Sequence, residues 1–163
     1  VYILALYQSR YPHLDTATHE GMDSYVQRIA NENGKSVIGL ETMQEQMNIL
    51  FNSTAIEQQL ESLMCNINIL NQEESFIEIE EYYRTGNLTE LRKKLDSSES
   101  LCPFTEAEAN AINKDRNEKW VQKLPGIMKE KSTFIAVGCM HLAGKDGILY
   151  QLTEKGYTIR PVK

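Results

Sequence analysis

No C-x-x-C pair occurs in the chain, and its three cysteines, Cys65, Cys102 and Cys139, lie far apart in sequence. That spacing argues against a cysteine zinc site. An odd count leaves at least one thiol unpaired within the chain, and a Cys65–Cys102 bridge stays open. Basic blocks are also missing. Lys and Arg number 17 against 23 Asp and Glu, a net charge of −6, which argues against nucleic-acid partners, because backbone binding needs a basic face. No apolar run approaches the roughly 20 residues of a membrane span. G-x-S-x-G, H-E-x-x-H and phosphate-loop patterns are absent. Histidine is scarce: His13 and His19 sit in a polar stretch without a recognised metal spacing and read as a solvated loop, and only His141 remains.

What is present suits a soluble domain, with 41% hydrophobic and 25% charged residues in 163. We read 1–163 as a single domain, long enough to bury a real core. The opening "VYILALYQSRYP" lacks the basic flank of a signal peptide. A start at Val inside an apolar run reads as a fragment or a processed form.

Residues 1 to 8 read as a strand or a helix end. Tyr25, Val26, Ile29 and Ala30 recur at helical spacing before Gly34, a natural stop. "KSVIGLET", 35 to 42, reads as a short buried strand. From Met43, the positions Ile49, Ile56, Leu60, Leu63, Ile67 and Leu70 predict one core-facing helical stripe, with a break near Asn52 and Ser53. Helices are predicted from Ser75 to Arg84, closed by Gly86, and over 87–98, capped by Asn87 or Thr89; 97 to 103 reads as a loop. Thr105 and Glu108 form a capping box for a long helix running to about Lys123 or past Pro125. "STFIAVG" predicts a buried strand, Gly144–Lys155 a helix, and "YTIRPV" a final strand. Strand, helix, strand is a βαβ unit. The expected fold is therefore α/β (α+β) and helix-rich: a small, mostly parallel sheet covered by several helices, with a C-terminal βαβ unit.

In such sheets ligands sit beyond the carboxyl ends of strands. Glu41 ends one predicted strand, and His141 follows another. On adjacent parallel strands they would share a rim, with Gly138 allowing close backbone approach and the helix from Gly144 pointing its N-terminus there. A carboxylate beside an imidazole suits acid–base work or metal ligation. Structural readings stand beside this one: Glu41 as a helix cap, His141 as a loop hydrogen-bond donor. On the long helix, Asn113, Asn117, Trp120, Leu124 and Met128 share a stripe that turns Asn117 inward, with Arg116 at its edge. Asn117 either braces a loop or, with Arg116, lines the same rim.

The stretches "GMDSYVQRIANENGKSVIGLETMQEQMNIL", "DRNEKW" and "VGCMHLAGKDGILYQLTEKGYTIRPV" together resemble the TraB/PrgY/GumN family, whose animal members include the TIKI Wnt-inactivating proteases. They carry a G-x-D helix start, Gly-Lys before a strand, Leu-Glu-Thr with a downstream Gln, Arg-Asn-x-x-Trp, G-x-x-H-L-x-G and a closing Gly-Tyr-x-Ile, in order over nearly the whole chain. The resemblance implies a metal-dependent hydrolase with peptidase-like chemistry, using manganese or cobalt on a peptide substrate, in the periplasm or cell envelope. It implies Gly138 and His141 as the second G-x-x-H motif, Glu41 as the strand-end acid, and Arg116 and Asn117 as the polar pair on the long helix. We expect His141 to ligate metal or act as the acid–base group, Glu41 to ligate metal or polarise a water, Arg116 to stabilise an oxyanion and Asn117 to position the substrate, with Gly138 and Gly144 at the rim. The family's earlier G-x-x-H and second acid are not found here. The expectation is thus a C-terminal portion whose site is incomplete, with the missing N-terminal half of the same domain as partner. The alternative is a non-catalytic binding or scaffold domain of the cell envelope. A third reading, a homo-oligomer, rests on strand edges that a half-domain would expose.

Overall fold

The computed structural model describes residues 11, 20–52, 54–68, 73–96 and 104–162, and divides the chain into two compact units, 1–39 and 40–163. The first unit holds α1, Met22–Glu32. Asp23 sits in its first turn, favourable at a helix N-terminus. Gly34, at φ 63°, closes the other end as the Gly34 and Lys35 N–H groups reach back to Asn31 and Ala30. Arg28 bonds both Glu20 and Glu32 on the surface.

The second unit opens with α2, Met43–Asn52, and α3, Ile56–Asn68. The break falls where the sequence places it. A capping box starts α2: the Thr42 N–H donates to Glu45 (2.7 Å), and the Glu45 N–H donates to the Thr42 hydroxyl (3.2 Å). Ile56, Leu60 and Leu63, expected on a core-facing stripe, are exposed. Helices α4, Glu73–Arg84, and α5, Leu88–Asp96, form a hairpin. Gly86 turns it at φ 69°, and Asn87 Oδ1 accepts from the Glu90 N–H. Cys65 is in a disulfide, and Cys139 is free.

Thr105 and Glu108 complete the predicted capping box and start α6, Glu106–Ala109. The helix then widens into one π-turn, Asn110–Lys114, where the Asp115 N–H donates to Asn110 O. It resumes as α7, Asp115–Glu130, running on through Pro125. Trp120, Val121 and Leu124 on α7 meet Ile148 and Leu152 on α8, Ile148–Glu154, with Leu40, Met128, Ile135 and Val137 around them. This is the unit's core. Each large apolar side chain it hides contributes about 1.5–3 kcal/mol.

No strand is formed among the described residues. The expected small parallel sheet and the C-terminal βαβ unit are therefore wrong. The reason is legible in 132–138. Its two-residue alternation is real: Ile135 and Val137 pack on the α7–α8 core, while Phe134 is 79% exposed. An extended segment laid across helices satisfies a period of two as well as a strand does. "KSVIG" and "YTIRPV" form no ladder either. The last helix starts at Ile148, not near Gly144, because Gly144 takes φ 80° and a turn intervenes. The predicted first strand or helix end, the His13 and His19 loop, the loop over 97–103 and Cys102 lie outside the described residues.

Candidate active site

Arg116 leaves α7 in its first turn, two residues past the π-segment, and its guanidinium holds both Glu41 carboxylate oxygens. Nε donates to Oε2 at 3.0 Å and NH2 to Oε1 at 2.6 Å. This fork-to-fork geometry is the strongest form of the pair. Glu41 is available for it because Glu45, not Glu41, caps α2. The remaining Arg116 nitrogen, NH1, donates to Ile112 O at 3.0 Å and lies 3.3 Å from His141 Nε2. Below, the guanidinium carbon sits 4.8 Å from the Trp120 ring centroid. Only about an eighth of either ionic side chain is exposed.

His141 occupies a short 3-10 turn, Cys139–His141, and is buried. Its Nδ1 lies 2.7 Å from Asn117 Oδ1. Both protons of the Asn117 amide are already given away, to Asn113 Oδ1 (2.8 Å) and Asp146 O (2.7 Å). Oδ1 is thus an acceptor, so Nδ1 carries the ring proton and Nε2 keeps its lone pair. An arginine can only donate, so NH1 on Nε2 agrees with that assignment. The imidazole is neutral. Burial first, and the Arg116 charge second, lower its pKa from 6.5 to about 4, against an opposing pull from Glu41. The ring also leans on Trp120, centroids 4.6 Å apart.

The structure thus brings Glu41, Arg116, Asn117 and His141 into one hydrogen-bonded cluster. It joins them through the helix instead of through neighbouring strands. Asn117 is 0% exposed and bonded to Asn113, Asp146 and His141; in this structure it braces the ring and a loop. A Cβ on Gly138 would stand 3.8 Å from the His141 ring, an ordinary contact, so no glycine is demanded there. Gly144 faces Arg92 and not the cluster. Gly147 was not foreseen. A Cβ there would lie 2.4 Å from Leu142 O and 2.6 Å from Ala143 O. Its closeness lets the loop fold so that Asp146 O meets Asn117. The Asp-Gly dipeptide was the available signal.

A model of the TraB/PrgY/gumN family matches residues 2–161. The chain belongs to the TraB/PrgY/gumN family. No curated protein and no solved structure matches the chain. Because the family match spans nearly the whole chain, it gives no support to a missing N-terminal half.

The metal implied by resemblance to the family does not fit this arrangement. Both expected ligands, Glu41 and His141, are bonded to the Arg116 cation, and no group of three or more His, Cys, Asp or Glu able to hold a metal occurs among the described residues. No described helix is long and apolar enough to cross a membrane.

Proposed function

We propose that this chain is a hydrolase of the TraB/PrgY/gumN family acting on peptide-like bonds, with Glu41, Arg116 and His141 as its polar centre. One observation carries the reading. Glu41 and Arg116 are 75 residues apart, and Arg116 and His141 are 25 apart, yet all three converge on one half-buried network.

The roles follow from the atoms. His141 Nε2 holds the ring's lone pair, which faces Arg116 NH1 at 3.3 Å in the resting site; that contact opens when substrate binds, and Nε2 then takes a proton from an attacking water. That proton passes to the leaving amine when the carbon–nitrogen bond breaks. The Arg116 guanidinium meets the negative charge that develops on the carbonyl oxygen. Glu41 aims Arg116, and Asn117 fixes the His141 tautomer. Manganese or cobalt has no part in this sequence while Arg116 holds both residues. The Cys65 disulfide supports a periplasmic or cell-envelope location, since such bonds persist in oxidising compartments.

The test is turnover of a fluorogenic peptide pool by the full chain, with and without added manganese. His141→Ala should lower turnover at least ~100-fold. Absence of turnover above the blank in the wild type would sink the reading.

A second reading, a non-catalytic binding or scaffold domain, is favoured by a specific observation. Among the described residues, no fully buried side-chain nitrogen or oxygen lacks a partner, and an imidazole with a pKa near 4 is a weak base. It becomes the better reading if the peptide assay is blank. The homo-oligomer reading loses its basis, because no strand edge exists among the described residues.

A further inference from the structure

We infer that Arg116 is the resident cation of this centre: its guanidinium fills the place between Glu41 and His141 that a divalent ion would need, and removing it opens a site for one. The inference rests on the hydrolase reading only for the location of the centre.

Three observations lead there. First, both Glu41 oxygens are engaged by Arg116, at 3.0 and 2.6 Å, leaving the carboxylate charge matched one to one. Second, the one His141 nitrogen able to bind a metal is Nε2, because Nδ1 donates to Asn117; NH1 stands 3.3 Å in front of it. Third, the guanidinium is tied in place by the Ile112 carbonyl and the face of Trp120. It is not a mobile surface charge that an ion could push aside.

Physical chemistry closes the argument. Arg does not deprotonate in proteins, so it cannot yield its position by neutralising. Two cations sharing one carboxylate in a site of low dielectric repel strongly. A structural ion pair and a resident cation predict different behaviour. Removing a mere brace costs stability and nothing else. Removing a resident cation leaves a carboxylate and a free imidazole lone pair uncovered, two donors of the kind a manganese or zinc ion takes, with water left to complete its shell.

The experiment measures binding, not activity. Manganese alone is titrated into the full chain, with free ion followed by electron paramagnetic resonance, in the wild type, Arg116→Met and Arg116→Met/His141→Ala. We expect Arg116→Met to bind at least tenfold more tightly than the wild type, and the double variant to lose that gain. Equal affinity in wild type and Arg116→Met overturns the inference. If Arg116→Met does not fold, the wild type itself decides. The nitrogen-15 resonances of His141 should stay in place under excess zinc, and movement on zinc addition overturns the inference.

The two proposals separate cleanly. A chain that gains manganese in Arg116→Met but cleaves no peptide keeps the resident cation and loses the hydrolase. A wild type that cleaves peptides only with manganese on His141 does the reverse.

Discussion

Asn117 Oδ1 receives the Nδ1 proton of His141 at 2.7 Å, and this single bond decides which end of the imidazole can do chemistry. Because the Asn117 amide protons are both committed elsewhere, the acceptor cannot turn into a donor. His141 therefore meets Arg116 with a lone pair, in its neutral form.

Asn117→Ala removes that acceptor and strands donors at Nδ1 and acceptors at Asn113 and Asp146. Loss of a buried hydrogen-bonding group costs about 1–3 kcal/mol for each partner left unsatisfied. Urea denaturation should show a loss of about that size, and Asn117→Asp should not restore it, since a carboxylate cannot donate to Asp146 O.

Stability should fall as the solution is acidified from about pH 6.5 to about 4. The folded imidazole has a pKa lowered to about 4, while the unfolded one titrates near 6.5. Between those values the unfolded chain binds a proton that the folded chain refuses, so the contribution is whole above pH 6.5 and is lost on the way down. Glu45 and Glu108, both lowered by their capping threonines, add a further loss as pH falls through the carboxylate range. Thermal melts across pH 4–7 should show the slope, and His141→Gln should flatten the part above pH 5.

Arg116 and Glu41 form a largely buried pair, so removing one partner should cost more than removing both. Glu41→Leu or Arg116→Leu alone should destabilise by about 3 kcal/mol. The double variant should recover much of that. A double-mutant cycle read by chemical denaturation checks it; additive losses would contradict the pairing.

Gly147→Ala should destabilise by about 1–3 kcal/mol, the usual cost of forcing a methyl into filled space, because the carbonyls of Leu142 and Ala143 stand under 3 Å from the new carbon. Gly138→Ala, with 3.8 Å of room, is the matched control and should melt within a degree or two of the wild type.

Helix starts and stops, apart from the start of α8, were legible in the sequence because they depend on neighbours. Thr105 with Glu108, Gly34, Gly86 and the break near Asn52 all stand where local chemistry puts them. The sheet was misread because alternation in "STFIAVG" reports which side chains are covered, not what covers them. Glu41, Arg116, Asn117 and His141 were named correctly as neighbours, but by a wrong geometry. Their true link, the reach of Arg116, is a contact across 75 residues that no local pattern encodes. The placement of Asn117 was half visible: the stripe turned it inward, but its bonds to Asn113 and Asp146 are contacts that no spacing along the helix reveals.

The wide turn at Asn110–Lys114 works like slack in the long helix. Each residue of a regular α-helix advances about 100° around its axis. A version of this chain one residue shorter in the wide turn would close an i→i+4 bond in place of the i→i+5 bond from Asp115 to Asn110, with the caps intact. The half carrying Thr105 and Glu108 would keep its facing relative to the half carrying Arg116, Asn117 and Trp120. The same deletion inside α7 would rewind one half against the other by about 100°. A deletion screen would therefore find the wide turn tolerant and the helix beyond it intolerant, a contrast that a substitution screen would not show.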